Sequence, residues 1–278
     1  LAQTSFRRDG NVQNGRFPET SEGKGESQDF LTGGIKAGAT YKITGRQFIV
    51  ANAAYLNRPP SPRNSFLSAR TRPDVIPGLQ SESVYTGDIG YVVRYARLKA
   101  RATFYYTKMM DQMWSRFYYN DEALTVVNYS MSGVDQINKG VEVGIEANLT
   151  STIQMTAVYA CGDYRHSSRP LATITQNNSA NTFAENRVIY WENYKVGGMP
   201  QTAASVGLRY NHPKFWFVGF SANYFGNIYL DPNPDRRTAE AIGNYVDSDP
   251  QVAQLLDQVQ LDDNYTVDAF AGKSWMIQ

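Results

Sequence analysis

The sequence is poor in the residues from which most active sites are built. Its 278 residues include one cysteine, Cys161, and two histidines, His166 and His212. A single thiol excludes an intrachain disulfide framework. A metal centre needs several clustered ligands, and no such cluster is visible, so neither a metal nor a cofactor is expected. Charge of one sign is missing as well. The 27 basic and 26 acidic residues leave a net charge of +1, with no basic block, which gives no support for a nucleic-acid partner. No run approaches the ~20 apolar residues of a spanning helix, which excludes a helical membrane protein. Gly33-Gly34 and Gly197-Gly198 lack the strand–glycine–helix context of a phosphate loop and read as turn glycines.

Aromatic residues are plentiful, with 19 Tyr and 13 Phe. A tyrosine ring is apolar and its hydroxyl prefers water, which suits a membrane boundary. Mean hydropathy is negative. That value is compatible with a membrane barrel, whose strands alternate polar and apolar residues.

Alternation is the dominant pattern. In VEVGIEANL, Val141, Val143, Ile145, Ala147 and Leu149 fall on one face, and Glu142, Gly144, Glu146 and Asn148 on the other. Only Thr150 and Ser151 separate this run from Ile153, Met155, Ala157 and Tyr159, the apolar row of the next. The same period recurs at Ile35–Ile43, at Ile89–Tyr95, at Leu98–Tyr106, at Thr202–Tyr210, at Trp216–Tyr224 and at Tyr265–Ala271. A less pure version covers Ile49–Tyr55. Short turns are expected at 44–46, 96–97, 150–151 and 211–214. Long loops are expected at 57–78, 166–200 and 231–263, with a short helical turn near Leu255–Gln260. Leu1–Gly33 has no period and reads as loop. Met109–Asn138 reads as the upper part of one long hairpin with its tip near Asn120–Ala123; two extra strands would also keep the short turns on one side, but Met113–Tyr119 and Leu124–Met131 are too short and too impure to span.

An apolar row of five residues rises about 22–25 Å at a ~40–45° tilt, close to the ~25 Å apolar band of an outer-membrane barrel. The count of nine spanning strands is odd, and an open sheet in lipid leaves unpaired backbone groups along two edges. The expected architecture is therefore all-β: an incomplete antiparallel up-and-down transmembrane β-barrel, one barrel region across residues 1–278.

Several stretches resemble one family. LQSESVYTGDIGYVVRYARLKARATFYYTKMMDQ, KGVEVGIEANLTSTIQMTAVYACGDY, VGGMPQTAASVGLRYNHPKFWFVGFSANYFGNIYLDPNPDRR and NYTVDAFAGKSWMI are similar to late barrel strands of TonB-dependent outer-membrane receptors, with a Bacteroidetes flavour. The resemblance implies a 22-stranded barrel in a Gram-negative outer membrane, and import of a scarce nutrient rather than an enzyme activity. Siderophore, cobalamin, haem, peptide and glycan are all open as ligands. The plug domain and TonB box of the family are not in this chain, so contact with TonB is expected through an N-terminal part outside it. Outer-membrane lipid, the ligand, and a surface lipoprotein are the further partners implied.

The polar rows supply lumen-facing candidates, namely Lys99, Arg101, Glu142, Glu146 and Arg209. Glu142 and Glu146 lie ~13 Å apart by strand rise, too far for paired-carboxylate chemistry, and read as lumen charges facing basic groups or the plug. Ligand candidates on the long-loop side are Trp114, Tyr118, Arg236 and Arg237, which can stack on or pair with a ligand. Two alternatives stay open at this point. One is a passive porin or barrel scaffold. The other is a soluble glycan-binding β-sandwich with the apolar rows packed between two sheets.

Overall fold

The computed structural model describes residues 1–11, 21–120, 123–176, 179, 181–243 and 250–275. Its strands are β1 (Ala2–Phe6), β2 (Asp9–Asn11), β3 (Glu22–Lys24), β4 (Gln28–Thr44), β5 (Gln47–Arg58), β6 (Glu82–Arg94), β7 (Leu98–Asn120), β8 (Thr125–Asn148), β9 (Ile153–His166), β10 (Leu171–Gln176), β11 (Thr182–Val188), β12 (Pro200–His212) and β13 (Trp216–Tyr229). Two short helices follow, α1 (Ala239–Ile242) and α2 (Pro250–Leu256). The strands β14 (Gln260–Leu261) and β15 (Asn264–Lys273) close the list.

Nine long strands (β4 to β9, β12, β13 and β15) form an antiparallel meander in sequence order. Tight turns join them at Gly45–Arg46, at Tyr95–Arg97 and at Thr150, where the Thr150 hydroxyl accepts the Ile153 N–H at 2.9 Å. The sheet does not close on itself. Among the described residues, β4 has only β5 beside it along Ile35–Ile43, and β15 has only β13. These two edges are where further strands would pair.

The alternation expected from the sequence is in register across the sheet. Tyr41, Ile49, Tyr91, Ala102, Val143, Tyr159, Ala204, Tyr224 and Tyr265 are successive cross-strand partners. Val206 and Leu208 lie opposite Ala222 and Phe220 in the same way. Relative to these hydrogen-bonded rows, the apolar stretch slides steadily. It reaches up to Tyr55 on β5, to Tyr106 on β7, and only to Tyr265 on β15. The slide is roughly one residue per strand. A rise of ~3.3 Å against a strand spacing of ~4.8 Å gives a tilt of roughly 35°, the inclination of strands in a membrane barrel.

The apolar side is bare. Ile35, Ile89, Phe104, Val206, Phe220 and Val267 are each at least half exposed. Leaving some fifteen such side chains in water would cost on the order of 2 kcal/mol each, tens of kcal/mol together, which exceeds the stability of a typical domain. Among the described residues no second sheet covers them, so the β-sandwich alternative is set aside. This face is built for lipid.

The core lies elsewhere, above the apolar band. Here the expectation of featureless loops is corrected in three places. The 1–33 segment holds β1, which pairs with the upper end of β4, and the small β2–β3 hairpin. The 166–200 segment holds the β10–β11 hairpin, in which β10 adds to the upper half of β8. The 231–263 segment holds α1, α2 and β14, and its helical turn ends at Leu256 rather than running through Leu255–Gln260. The long β7–β8 hairpin is as expected, although residues 121 and 122 at its tip lie outside the described residues. Val127, Tyr129, Met131, Val134, Ala172, Ile174, Ile189 and Trp191 are buried together in this layer. A smaller group, Leu67, Ile76 and Met113, packs the 57–78 loop against the other face of the hairpin.

Two irregularities make that packing possible. Asp111 on β7 and Gly133 on β8 have positive φ, 60° and 71°, and the β7–β8 register shifts between Met109 and Gln112 and again between Gln112 and Trp114. One extra residue on each strand turns the following side chains onto the opposite face. Below the shift, odd residues of β7 share the polar face with Arg101. Above it, Trp114 and Tyr118 lie on that side instead.

Candidate ligand-binding surface

The polar rows form the concave side of the sheet. Two of its hollows lie there. One, of about 570 Å³, is lined by Arg101, Thr103, Glu142, Ser205, Asn223 and Phe225, among others. The other, of about 480 Å³, is lined by Lys36, Asn52, Thr86 and Asp88. Alternation places these side chains here, because each sits one residue from a lipid-facing neighbour.

The five polar candidates occupy one surface and are tied to their neighbours. Lys99 Nζ donates to Glu146 Oε1 at 3.0 Å across the β7–β8 ladder. Arg101 Nε donates to Thr103 Oγ1 at 2.9 Å, and its guanidinium lies 3.8 Å from Asp88. Glu142 faces Thr103 on one side and Ala160 on the other, at the floor of the larger hollow. Arg209 Nε donates to Asn211 Oδ1 at 2.9 Å, and its guanidinium stands 3.9 Å over the Phe217 ring. These pairs are solvent-reached, so each stabilises the wall weakly.

This surface has members beyond the five sequence candidates. Asn52 Nδ2 donates to Asp88 at 3.0 Å, and Asn223 Nδ2 donates to Asp268 Oδ2 at 3.0 Å. Cross-strand register reveals these pairings, and a single sequence does not. Higher up, Arg58 and Glu82 form an ion pair at 2.8 Å beside a hollow of about 430 Å³ that Gln112, Trp114 and Gln136 also line.

The loop-side candidates separate into two kinds. Trp114 and Tyr118 belong to the aromatic core. Trp114 meets Trp191 edge-on at 5.1 Å and stacks on Tyr118 at 6.2 Å, and Tyr118 meets Tyr129 edge-on at 5.9 Å. Burial, and secondarily Asp231, push the Tyr118 hydroxyl up to about 12. The Tyr129 hydroxyl donates to Asp235, which anchors the 231–263 segment on the hairpin. Arg237 is only 5 % exposed, donates to the carbonyls of Asn233, Leu256 and Asp257, and covers the Tyr194 ring. Its groups serve the fold of the layer. Arg236 is exposed and remains available to a ligand.

His166 was outside the sequence candidates. It is 4 % exposed, its ring centroid lies 4.6 Å from that of Trp191, and its Nδ1 has no hydrogen-bond partner among the described residues. Burial lowers its pKa to about 4, against an opposing pull from Asp231.

Residues 4–277 match the family described as TonB dependent receptor-like, beta-barrel. This chain belongs to that family. Solved structures agree on the fold. A copper transporter, OprC, is similar at a TM-score of 0.59 and 15 % identity, over 96 % of this chain and 36 % of that one. The FrpB iron transporter from Neisseria meningitidis is similar at 0.54 and 15 % identity, over 89 % and 33 %. The ferric-catecholate import receptor Fiu from E. coli K12 is similar at 0.50 and 18 % identity, over 96 % and 33 %. The chain thus spans about a third of the length of the transporters it matches. A comparison with curated protein sequences gives no match. In this TonB-dependent receptor barrel, the nine-strand meander is the wall segment, and the buried aromatic layer sits on its long-loop side.

Proposed function

We propose that this chain is part of the wall and outer mouth of an energy-coupled importer in the outer membrane of a Gram-negative bacterium. The family match over residues 4–277 carries the reading. The geometry supports it in two ways. One face of the sheet is bare and apolar, as lipid contact requires, and the concave face carries Lys99, Arg101, Glu142, Glu146 and Arg209, as a water-lined passage or a plug seat requires. Above the wall, loops knit into a packed layer present Arg236 at the surface, and Trp114 lines a hollow beside Arg58 and Glu82. Residues 1–278 are read as one barrel region, with the plug and the TonB contact supplied by other sequence. The cargo is a scarce nutrient: a siderophore, cobalamin, haem, peptide or glycan. The solved neighbours named for copper, iron and ferric catecholates add metal ions and their chelates.

The test uses the complete gene product in cells, with uptake and surface binding of labelled candidate ligands measured in the presence and absence of TonB. Binding that persists while uptake stops without TonB is expected. Uptake at an unchanged rate without TonB supports the passive porin reading instead.

A further inference from the structure

Just above the apolar band, the lipid-side face changes character over a short stretch. Lys139 follows Val141 on β8, and Asp163 and Arg165 follow Cys161 on β9. The two strands pair from Gln136–His166 to Asn148–Gln154 without a register shift, so these side chains share the face of Val143 and Tyr159. Lys195 joins them through a β-bridge to Arg165. Asp163 sits at the centre. Arg165 Nε lies 2.5 Å from its carboxylate, Lys195 Nζ 2.6 Å, and Lys139 Nζ 3.8 Å. Three cations share one carboxylate, which leaves two positive charges uncompensated within the cluster. Lys139 and Arg165 side chains are 52 % and 43 % exposed, so those charges face outward. Lys108, on the face of Phe104 and Tyr106, extends the cationic row by one strand.

The cluster is built rather than incidental. The Lys195 N–H donates to Gln258 Oε1 at 2.8 Å, and its carbonyl accepts from Gln258 Nε2 at 2.8 Å, so the 231–263 segment clasps it. The Asp163 carboxylate then holds the three cationic heads together. Val141 and Tyr159 lie below the cluster on the same face, and Tyr106 stands opposite Lys139 on the neighbouring strand, all residues of the lipid-facing band. An occupant of this spot has an anionic group at the height of the cations and an acyl chain on the band beneath.

We infer that Lys139, Arg165 and Lys195 hold the phosphate of a phosphorylated glycolipid of the outer leaflet, with its acyl chains on Val141, Val143 and Tyr159. The inference rests on the outer-membrane reading above and locates one lipid on it. Each basic side chain near an anionic lipid surface is worth roughly five-fold in affinity, so losing three cations costs on the order of 100-fold.

The test is the complete receptor, extracted from outer membranes in mild detergent, with bound glycolipid counted by native mass spectrometry. The variants are K139Q/R165Q/K195Q, K139Q alone, and K99Q on the concave face. Retention is expected to fall by an order of magnitude or more in the triple variant, several-fold in K139Q, and not in K99Q. Equal retention in wild type and triple variant, with normal membrane insertion, overturns the assignment. So does an equal fall in K99Q, and so does displacement of the lipid by millimolar inorganic phosphate, which identifies a free-phosphate site. If the triple variant fails to fold, K139Q alone decides, because its exposed side chain bears least on the fold. Failure of the wild type to insert in the outer membrane overturns the importer reading instead, and is scored separately by its electrophoretic heat shift.

Discussion

Phe220 and Ser221 are adjacent on β13, yet the alternation gives them opposite surroundings. Phe220 lies at the centre of the lipid-facing row Trp216–Tyr224 and is 55 % exposed on the bare side of the sheet. Ser221 faces the concave side, between Gly207 and Asp268. Replacing Phe220 with arginine removes an apolar side chain from lipid, about 2 kcal/mol, and places a cation near the bilayer midplane, about 2–4 kcal/mol more. The sum of about 4–6 kcal/mol lowers the folding equilibrium by roughly three to four orders of magnitude. Ser221→Arg puts the same side chain within reach of Asp268, and its cost is expected to stay within about 1 kcal/mol. Urea titration of the complete receptor in bilayers, read by protease protection and heat-modified electrophoretic mobility, measures both. Equal costs for the two variants, or a larger cost for Ser221→Arg, would refute the face assignment on which the wall is built.

Three further outcomes follow from the loop layer and the wall. His166 has a folded pKa near 4 against about 6.5 unfolded, so its contribution is present above about pH 6.5 and is lost as the pH falls toward 4, up to about 3 kcal/mol. Tryptophan fluorescence of the layer is expected to report loosening in that window, and a His166→Gln variant that loosens identically refutes the assignment. Gly219 lies against the Phe270 ring, where an added Cβ would meet Cζ at 2.3 Å. Gly219→Val is expected to cost about 1–3 kcal/mol and to be relieved by Phe270→Ala in a double-mutant cycle. Arg237→Met removes the side-chain donor to the Asn233 and Asp257 carbonyls and one of the two to Leu256, and is expected to raise proteolysis of the 231–263 segment, at about 1–3 kcal/mol, whereas Arg236→Ser leaves it unchanged; equal digestion of the two variants counts against this division of roles.

The wall was legible in the sequence because its two faces meet different solvents along their whole length. Val141 to Leu149 shows this most cleanly, and Thr150-Ser151 marks its end. The upper layer was not legible, for three physical reasons. Leu171–Gln176 is packed on both sides, with Ala172 and Ile174 buried on one and Thr173 and Thr175 on the other, so burial does not follow polarity there. β1 earns its strand conformation only from pairing with β4, a partner some 25 residues away. The shift at Asp111 carries no glycine to announce it, while Gly133 on the facing strand does. Among the candidate residues, alternation located Lys99, Arg101, Glu142, Glu146 and Arg209 on one surface. It had no means of foreseeing that Arg237 turns inward to cap carbonyls while its neighbour Arg236 stays out.

The paired irregularities at Asp111 and Gly133 invert a phase. On the lower half of the β7–β8 hairpin, greasy side chains point away from the barrel axis and wet ones toward it. On the upper half, the apolar row of Val127, Tyr129 and Met131 lies toward the axis, and the outer side is a polar row of Asn128 and Ser130 packed under neighbouring segments. One ribbon crosses from a wall whose apolar row faces out to a packed layer whose apolar row faces in, and the alternation has to slip by half a period at the crossing. Length changes in this hairpin therefore obey different arithmetic on each side. Insertions of two residues either above or below the crossing keep both halves in phase. A single residue removed at Gly133 sends Tyr129 and Met131 to the polar, packed side of β8 that Asn128 and Ser130 occupy, and leaves the lipid rows of the lower half untouched. The boundary between membrane wall and surface layer is, in that sense, written into the hairpin as a parity change.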